Sequence, residues 1–340
     1  MKKVLKWLMY LVFVVVVIIA GGAVYLKTAF PKDGPVADVK INKNDTVLLA
    51  RGKYLANADC GCVDCHSPRY FQYFGVPYNA DSTGAGGLQF NHDMGFPGTF
   101  YSKNITPFNI GKWSDAQLYH TVTTGVTPEG TVLFPVMIYP YMALADPEDV
   151  KAIIAYIRTL KPVSSKTPDH EIDFPVSLFY RMGPHPATPM NRPAPSDTLA
   201  YGKYMFTLGA CQECHTPRGS HGDLMIADSA MAGGQVFTLP GFGKVRSANL
   251  TPDTKTGLGG WTKQMFIEAF KCYDNPAAER IPWKQKGYQT LMPWLAYCKM
   301  TRQDLGAIYT YLRTFKPVSH SVTKWTPENA SFAQGQGAGK

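Results

Sequence analysis

The sequence predicts a mainly helical protein: one apolar N-terminal helix followed by two tandem copies of an all-α unit. Three observations predict it. Trp7 to Leu26 is an apolar run without a charge, about the length that crosses a ~30 Å hydrocarbon core at helical rise. Two later segments repeat the same short motifs in the same order, the signature of internal duplication. Both copies close on a stretch whose apolar residues recur at helical spacing.

Lys2, Lys3 and Lys6 precede the apolar run, a placement that keeps the start of the chain cytoplasmic and sends the body outward. Ala20-Gly21-Gly22-Ala23 offers a small-residue cleavage site. The run exceeds the apolar region of a cleavable signal, however, so residues 1–28 are expected to remain as a membrane anchor. Residues 29–45, with Pro31, Gly34 and Pro35, read as a polar tether, and residues 46–165 as the first unit. Residues 166–196 hold Pro168, Pro175, Pro184, Pro186, Pro189, Pro193 and Pro195 and read as a stiff, extended linker. The second unit spans 197–320, and residues 321–340 read as a disordered tail.

The repeat is dense. Arg51-Gly52-Lys53-Tyr54 answers Tyr201-Gly202-Lys203-Tyr204, and Cys62-Val63-Asp64-Cys65-His66 answers Cys211-Gln212-Glu213-Cys214-His215. Ser67-Pro68-Arg69 answers Thr216-Pro217-Arg218, and Gly86-Gly87-Leu88-Gln89-Phe90 answers Gly233-Gly234-Gln235-Val236-Phe237. Asn104-Ile105-Thr106-Pro107 answers Asn249-Leu250-Thr251-Pro252, and Trp113 answers Trp261. The copies close on Tyr156-Ile157-Arg158-Thr159-Leu160-Lys161-Pro162-Val163 and Tyr311-Leu312-Arg313-Thr314-Phe315-Lys316-Pro317-Val318.

Within each unit a leading helix is expected over 45–57 and 197–208. A second helix follows each Trp, with a Ser114-x-x-Gln117 capping box in one copy and a Thr262 cap in the other. The closing helix starts at Asp146 with Pro147 in its first turn, and Val150, Ile153, Ile154, Ile157 and Leu160 form its apolar face. Its counterpart starts at Thr301-x-x-Asp304, with Leu305, Ile308, Leu312 and Phe315 repeating the stripe.

The doubled C-x-x-C-H carries the chemistry. Two thiols at this spacing can add across the two vinyl groups of one haem, and the adjacent His then lies beneath the ring and can ligate the iron. Cys62, Cys65, Cys211 and Cys214 are the expected attachment thiols for two covalently bound haem c groups, with His66 and His215 as iron ligands. A zinc site would need a second ligand pair near each motif, and none is present.

A sixth ligand is expected on a loop before each closing helix. Met137 lies as far before Asp146 as Met292 lies before Thr301, whereas Met142 aligns with Tyr297 and Met300 with Ala145. The shared register selects Met137 and Met292, with Met142 the next choice in the first unit. Met292 is followed by Pro293-Trp294 and Met137 by Ile138-Tyr139, so the two loops differ.

These motifs resemble class I cytochrome c domains and, more narrowly, the multihaem cytochrome c subunits of periplasmic alcohol, gluconate and aldehyde dehydrogenases. The resemblance covers residues 46–165 and 197–320. Such subunits often carry three haem domains, and this chain has two C-x-x-C-H motifs. It implies two tandem class I domains in the periplasm on a single-pass inner-membrane anchor. It also implies electron transfer without catalytic residues, and redox partners such as a dehydrogenase subunit or a terminal oxidase. The alternative is a dihaem oxidoreductase of peroxidase or thiosulfate-oxidising type, with one iron open or differently ligated.

Apolar residues make up 45% of the 340 and charged residues 17%, ordinary for a folded protein. The formal net charge is +9, which haem propionates would offset, and no Lys/Arg stripe points to nucleic acid. Cys272 and Cys298 flank a stretch that the second unit inserts, and a disulfide between them would clamp the Met292 loop. Cys60 reads as a bystander thiol on a residue that the second unit lacks. His92, His120, His170, His185, His221 and His320 have no repeat partner and read as surface or loop residues.

Overall fold

Lys2–Ala29 is one continuous helix, and among the described residues it is the one long and apolar enough to cross a membrane. The computed structural model describes residues 2–219 and 225–328; His221 and residues 329–340 lie outside the described residues.

In each block a leading helix crosses a closing helix. Thr46–Tyr54 is capped by Asp45, whose carboxylate accepts from Val47 N and Leu48 N at 3.0 Å. Thr198–Leu208 is capped by Asp197. The closing helices, Pro147–Ile157 and Arg302–Leu312, start at Asp146 and Thr301 as the sequence predicts. Both crossings depend on a glycine notch. A Cβ on Gly52 would stand 1.8 Å from Ala152 O, and one on Gly202 would stand 2.0 Å from Ala307 O. The middle helices are Asp115–Thr124, with both arms of its capping box formed, and Lys263–Lys271, capped by Thr262 alone. Leu55, Val150, Ile153 and Ile154 belong to the same buried core as Met205, Leu208, Leu305 and Leu312.

The one-residue difference between the copies is absorbed at the end of the first leading helix. Leu55–Asp59 winds as a π-helical turn, whereas the second leading helix runs on as an ordinary α-helix.

The all-α expectation needs correction. Two three-stranded antiparallel sheets form, β1 (Gln89–Phe90), β2 (Gly98–Tyr101) and β3 (Glu171–Ile172) in one block, and β4 (Val236–Leu239), β5 (Gly243–Arg246) and β6 (Trp325–Pro327) in the other. They are copies too. The middle strand of each opens on a glycine with φ of +140° or +123°, where a Cβ would stand 2.1 Å from Glu171 O or 2.2 Å from Thr326 O. The third strand comes from residues 171–172, expected as extended linker, and from residues 325–327, expected as disordered tail. The linker also holds a helical turn at Val176–Phe179.

The blocks are joined by a reciprocal contact. The Tyr54 hydroxyl donates to the Asp304 carboxylate and accepts from Thr301 N at 3.0 Å. The Tyr204 hydroxyl donates to Asp149 at 2.8 Å and accepts from Asp146 N at 3.1 Å. Each leading helix thus ties down the N-terminus of the other block's closing helix. A third tie comes from the segment that the second block inserts. Gln289, fully buried, donates to Phe71 O at 3.0 Å and Tyr73 O at 2.8 Å and accepts from Gly75 N at 3.0 Å. Buried amide bonds of this kind contribute about 1 kcal/mol each and cost more when left half-made.

Cys272 and Cys298 are not joined. Cys272 is exposed and Cys298 buried, and each thiol donates back to a carbonyl three residues earlier, at 3.5 and 3.3 Å. His120 is no loop residue either. It is 8% exposed on the middle helix, with Nε2 2.7 Å from Asp33 of the expected tether.

Candidate metal centres

Both C-x-x-C-H motifs lie on a short helical turn entered through a left-handed residue, Gly61 at φ +59° and Ala210 at φ +48°. That turn reverses the chain after the leading helix and sets two cysteines and the following His on successive positions of one turn. Cys65 N and His66 N bond to Gly61 O and Cys62 O at 2.9 Å each. Cys65 and Cys214 are exposed, while Cys62 and Cys211 are half-buried.

Each histidine is held by one ring nitrogen. His66 Nδ1 lies 2.7 Å from Lys103 O, and His215 Nδ1 lies 2.8 Å from Ala248 O. The bond assigns the proton to Nδ1 and leaves the Nε2 lone pair for a metal. Burial lowers both imidazole pKa values, which keeps the rings neutral as ligation requires.

The N-x-T-P stations explain why those carbonyls sit where they do. Asn104 Nδ2 donates to Val163 O at 2.8 Å, while its Oδ1 accepts from Thr106 N at 2.8 Å and Thr106 Oγ1 at 2.7 Å. Asn249 repeats this with Val318 O at 2.8 Å, Thr251 N at 2.9 Å and Thr251 Oγ1 at 2.8 Å. Each Asn therefore staples the Lys-Pro-Val end of its block to the residue whose neighbour's carbonyl holds the histidine. Gly86 N and Gly233 N complete the loop by donating to His66 O and His215 O at 2.8 Å.

One repeated feature escaped the sequence reading. The acid inside each motif pairs with the arginine that follows the histidine, Asp64 with Arg69 and Glu213 with Arg218. The signal was present, an acid and an Arg at fixed spacing in both copies. Arg69 also donates to Val76 O at 2.8 Å and so fixes the next loop. The two motifs are near neighbours across the block boundary. Tyr141 of the first block donates to Glu213 at 2.5 Å, and Gly209 lies against the Asp59 carboxylate. Tyr297, whose hydroxyl donates to Gly209 O at 2.9 Å, has its pKa raised by burial and then by Cys211.

Met137 and Met292 occupy equivalent turns. Each is half-buried, and each carbonyl accepts from the amide two residues on, Tyr139 N at 2.8 Å and Trp294 N at 2.7 Å. A four-residue helix then starts in both copies, Tyr139–Met142 and Trp294–Tyr297. Met142 and Met300 are core side chains, each 2% exposed. Met292 packs on the margin of that core. Among the described residues no cluster of three His, Cys, Asp or Glu side chains forms. Paired thiols beside a neutral, oriented imidazole and a loop thioether fit haem c.

No family model matches the chain. It is 34% identical over 307 residues to the gluconate 2-dehydrogenase cytochrome c subunit of Pantoea cypripedii, covering 83% of this chain and 63% of that protein. It is 30% identical over 298 residues to the cytochrome c subunit of a quinone alcohol dehydrogenase from Gluconacetobacter polyoxogenes, covering 83% of this chain and 59% of that protein. A diheme cytochrome c-type protein of Cereibacter sphaeroides is 29% identical over 180 residues, 48% of this chain and 55% of that protein. The chain thus spans about 60% of the length of the two dehydrogenase subunits. Over most of its length the chain is similar to the cytochrome c subunits of dehydrogenases.

Proposed function

We propose that the chain is a dihaem electron carrier, two tandem class I cytochrome c domains held at the periplasmic face of the inner membrane by residues 7–26. It takes electrons from a dehydrogenase partner subunit and delivers them towards a terminal acceptor such as an oxidase. Cys62 and Cys65 attach the first haem and Cys211 and Cys214 the second. His66 with Met137, and His215 with Met292, would hold the two irons. Each haem, when bound, would supply a one-electron iron couple whose potential thioether ligation would raise.

The observation that carries this reading is the duplicated staple: in both blocks an Asn–Thr pair fixes the carbonyl that orients the histidine, and the methionines share one turn geometry. Sites built twice to one plan are sites with one task. The chain's own residues bind and orient: the carbonyls hold the imidazoles, the Met turns present sulfur, and the Asp64–Arg69 and Glu213–Arg218 pairs fix the attachment turns. Carbon monoxide binding to the reduced protein tests the ligands. Wild type is expected to bind none, and Met137→Ala and Met292→Ala one equivalent each. A variant that binds no more than wild type removes that Met from the ligand set.

A further inference from the structure

Among the described residues the segment Asp173–Met182 has no counterpart in the second block, and it sits against the end of the apolar helix. That helix is exposed along its length except at Ala23, Leu26 and Ala29, one face of its last two turns. The turns Val176–Phe179 and Tyr180–Met182 lie against it. Arg181 Nη2 donates to Phe30 O at 2.9 Å, and Gly34 lies against the Pro186 ring. With Asp33 bonded to His120, the polar tether is itself attached to the first block.

This joint has an outward side. Phe174 is 79% exposed, Phe179 51% and Met182 47%, while Val176, Leu178 and Tyr180 turn partly inward. Large apolar side chains are rarely left together in water without a partner. Lys27, in the last turn of the helix, and Lys32, just beyond it, are exposed, with the Lys32 ammonium 5.2 Å from the Phe30 ring centroid.

We infer that Phe174, Phe179 and Met182 form a second membrane contact, lying in the outer headgroup boundary beside the emerging helix and holding the first block against the lipid surface. The inference rests on the anchor reading above. Its occupant is lipid because of depth: the segment covers Ala23 and Leu26, which lie inside the run that spans the bilayer core, so its outward side chains sit at the level where that run ends. Aromatic and basic residues favour this level. A block fixed in this way could not swing on its anchor, and its haem site would keep one height above the membrane.

The full-length, haem-loaded protein in nanodiscs of phosphatidylcholine and phosphatidylglycerol containing a diazirine-tailed lipid provides the test, with cross-linked peptides mapped by mass spectrometry. Label is expected in 7–26 and in the peptide covering 174–182. In Phe174→Ser/Phe179→Ser the second label should fall about ten-fold, with the first label and the haem spectrum unchanged. Label in 7–26 alone overturns the patch and leaves the anchor, as does cover of 174–182 that appears only when a dehydrogenase subunit is added. Undiminished label in the variant overturns the role of these side chains. Loss of label from 7–26 overturns the anchor itself.

Discussion

In the first block the histidine hangs on Lys103 O at 2.7 Å and in the second on Ala248 O at 2.8 Å, and the Asn–Thr staples beneath them agree within 0.1 Å where both are formed. Elsewhere the blocks diverge. Arg51 pairs with the buried Asp149, which also binds Arg192, while Tyr201 stands at the matching place near Asp304. The π-helical turn that carries Asp59 and is followed by Cys60 is found in the first block only. The inserted segment around Gln289 belongs to the second block only and spends its hydrogen bonds on the first. Duplication has preserved what orients the two histidines, and divergence has gone into the boundary between blocks and the segment against the apolar helix.

That division can be broken by experiment. The largest effect is expected where the copies are alike. Gly52→Ala and Gly202→Ala each drive a methyl into a backbone carbonyl, and either should cost about 3 kcal/mol of stability. Chemical denaturation followed by circular dichroism measures it, and a loss in one block alone would mean that the helix crossings are not equivalent. Next come Asn104→Ala and Asn249→Ala, expected to cost about 2 kcal/mol each by leaving buried partners unmatched. Both should also shift the haem absorbance as the histidine carbonyl loosens. A stability loss without a spectral change would separate the staple from the iron site.

The smallest effect is expected where the copies differ. Asp59 is 1% exposed, and neither carboxylate oxygen has a hydrogen-bond partner among the described residues. Burial raises its pKa well above the ordinary carboxylate value, Asp304 and Asp149 add to the rise, and Arg51 opposes it. The folded state therefore holds a proton that the unfolded state has already released, so this group's contribution to stability falls as pH rises above about 4. Asp59→Asn should match wild type near pH 4 and exceed it at pH 8 by roughly 1 kcal/mol in thermal melts. A variant less stable at pH 8 would show a paired carboxylate.

The repeat was legible because it is written in the same residues twice, and because Asp45, Asp146, Asp197, Ser114, Thr262 and Thr301 are cap residues whose local chemistry needs no tertiary help. The Met register could be counted for the same reason. The sheets were not legible. Their strands are two to four residues long, too short for alternation to register, and the third strand of each returns from a segment rich in proline or at the chain's end. The Tyr54–Asp304 and Tyr204–Asp149 contacts join residues 250 and 55 apart, a distance over which no local pattern informs. His120 was misread because its partner, Asp33, lies outside the repeat.

Two closed His/Met iron sites of common design are the centre of the account. Low-temperature electron-paramagnetic and near-infrared magnetic circular dichroism spectra of the oxidised protein, with intact mass for haem count, test it most directly. The account predicts two haems per chain, both low-spin ferric with the thioether-to-iron band. One haem per chain, or a high-spin ferric signal from either site, would contradict it.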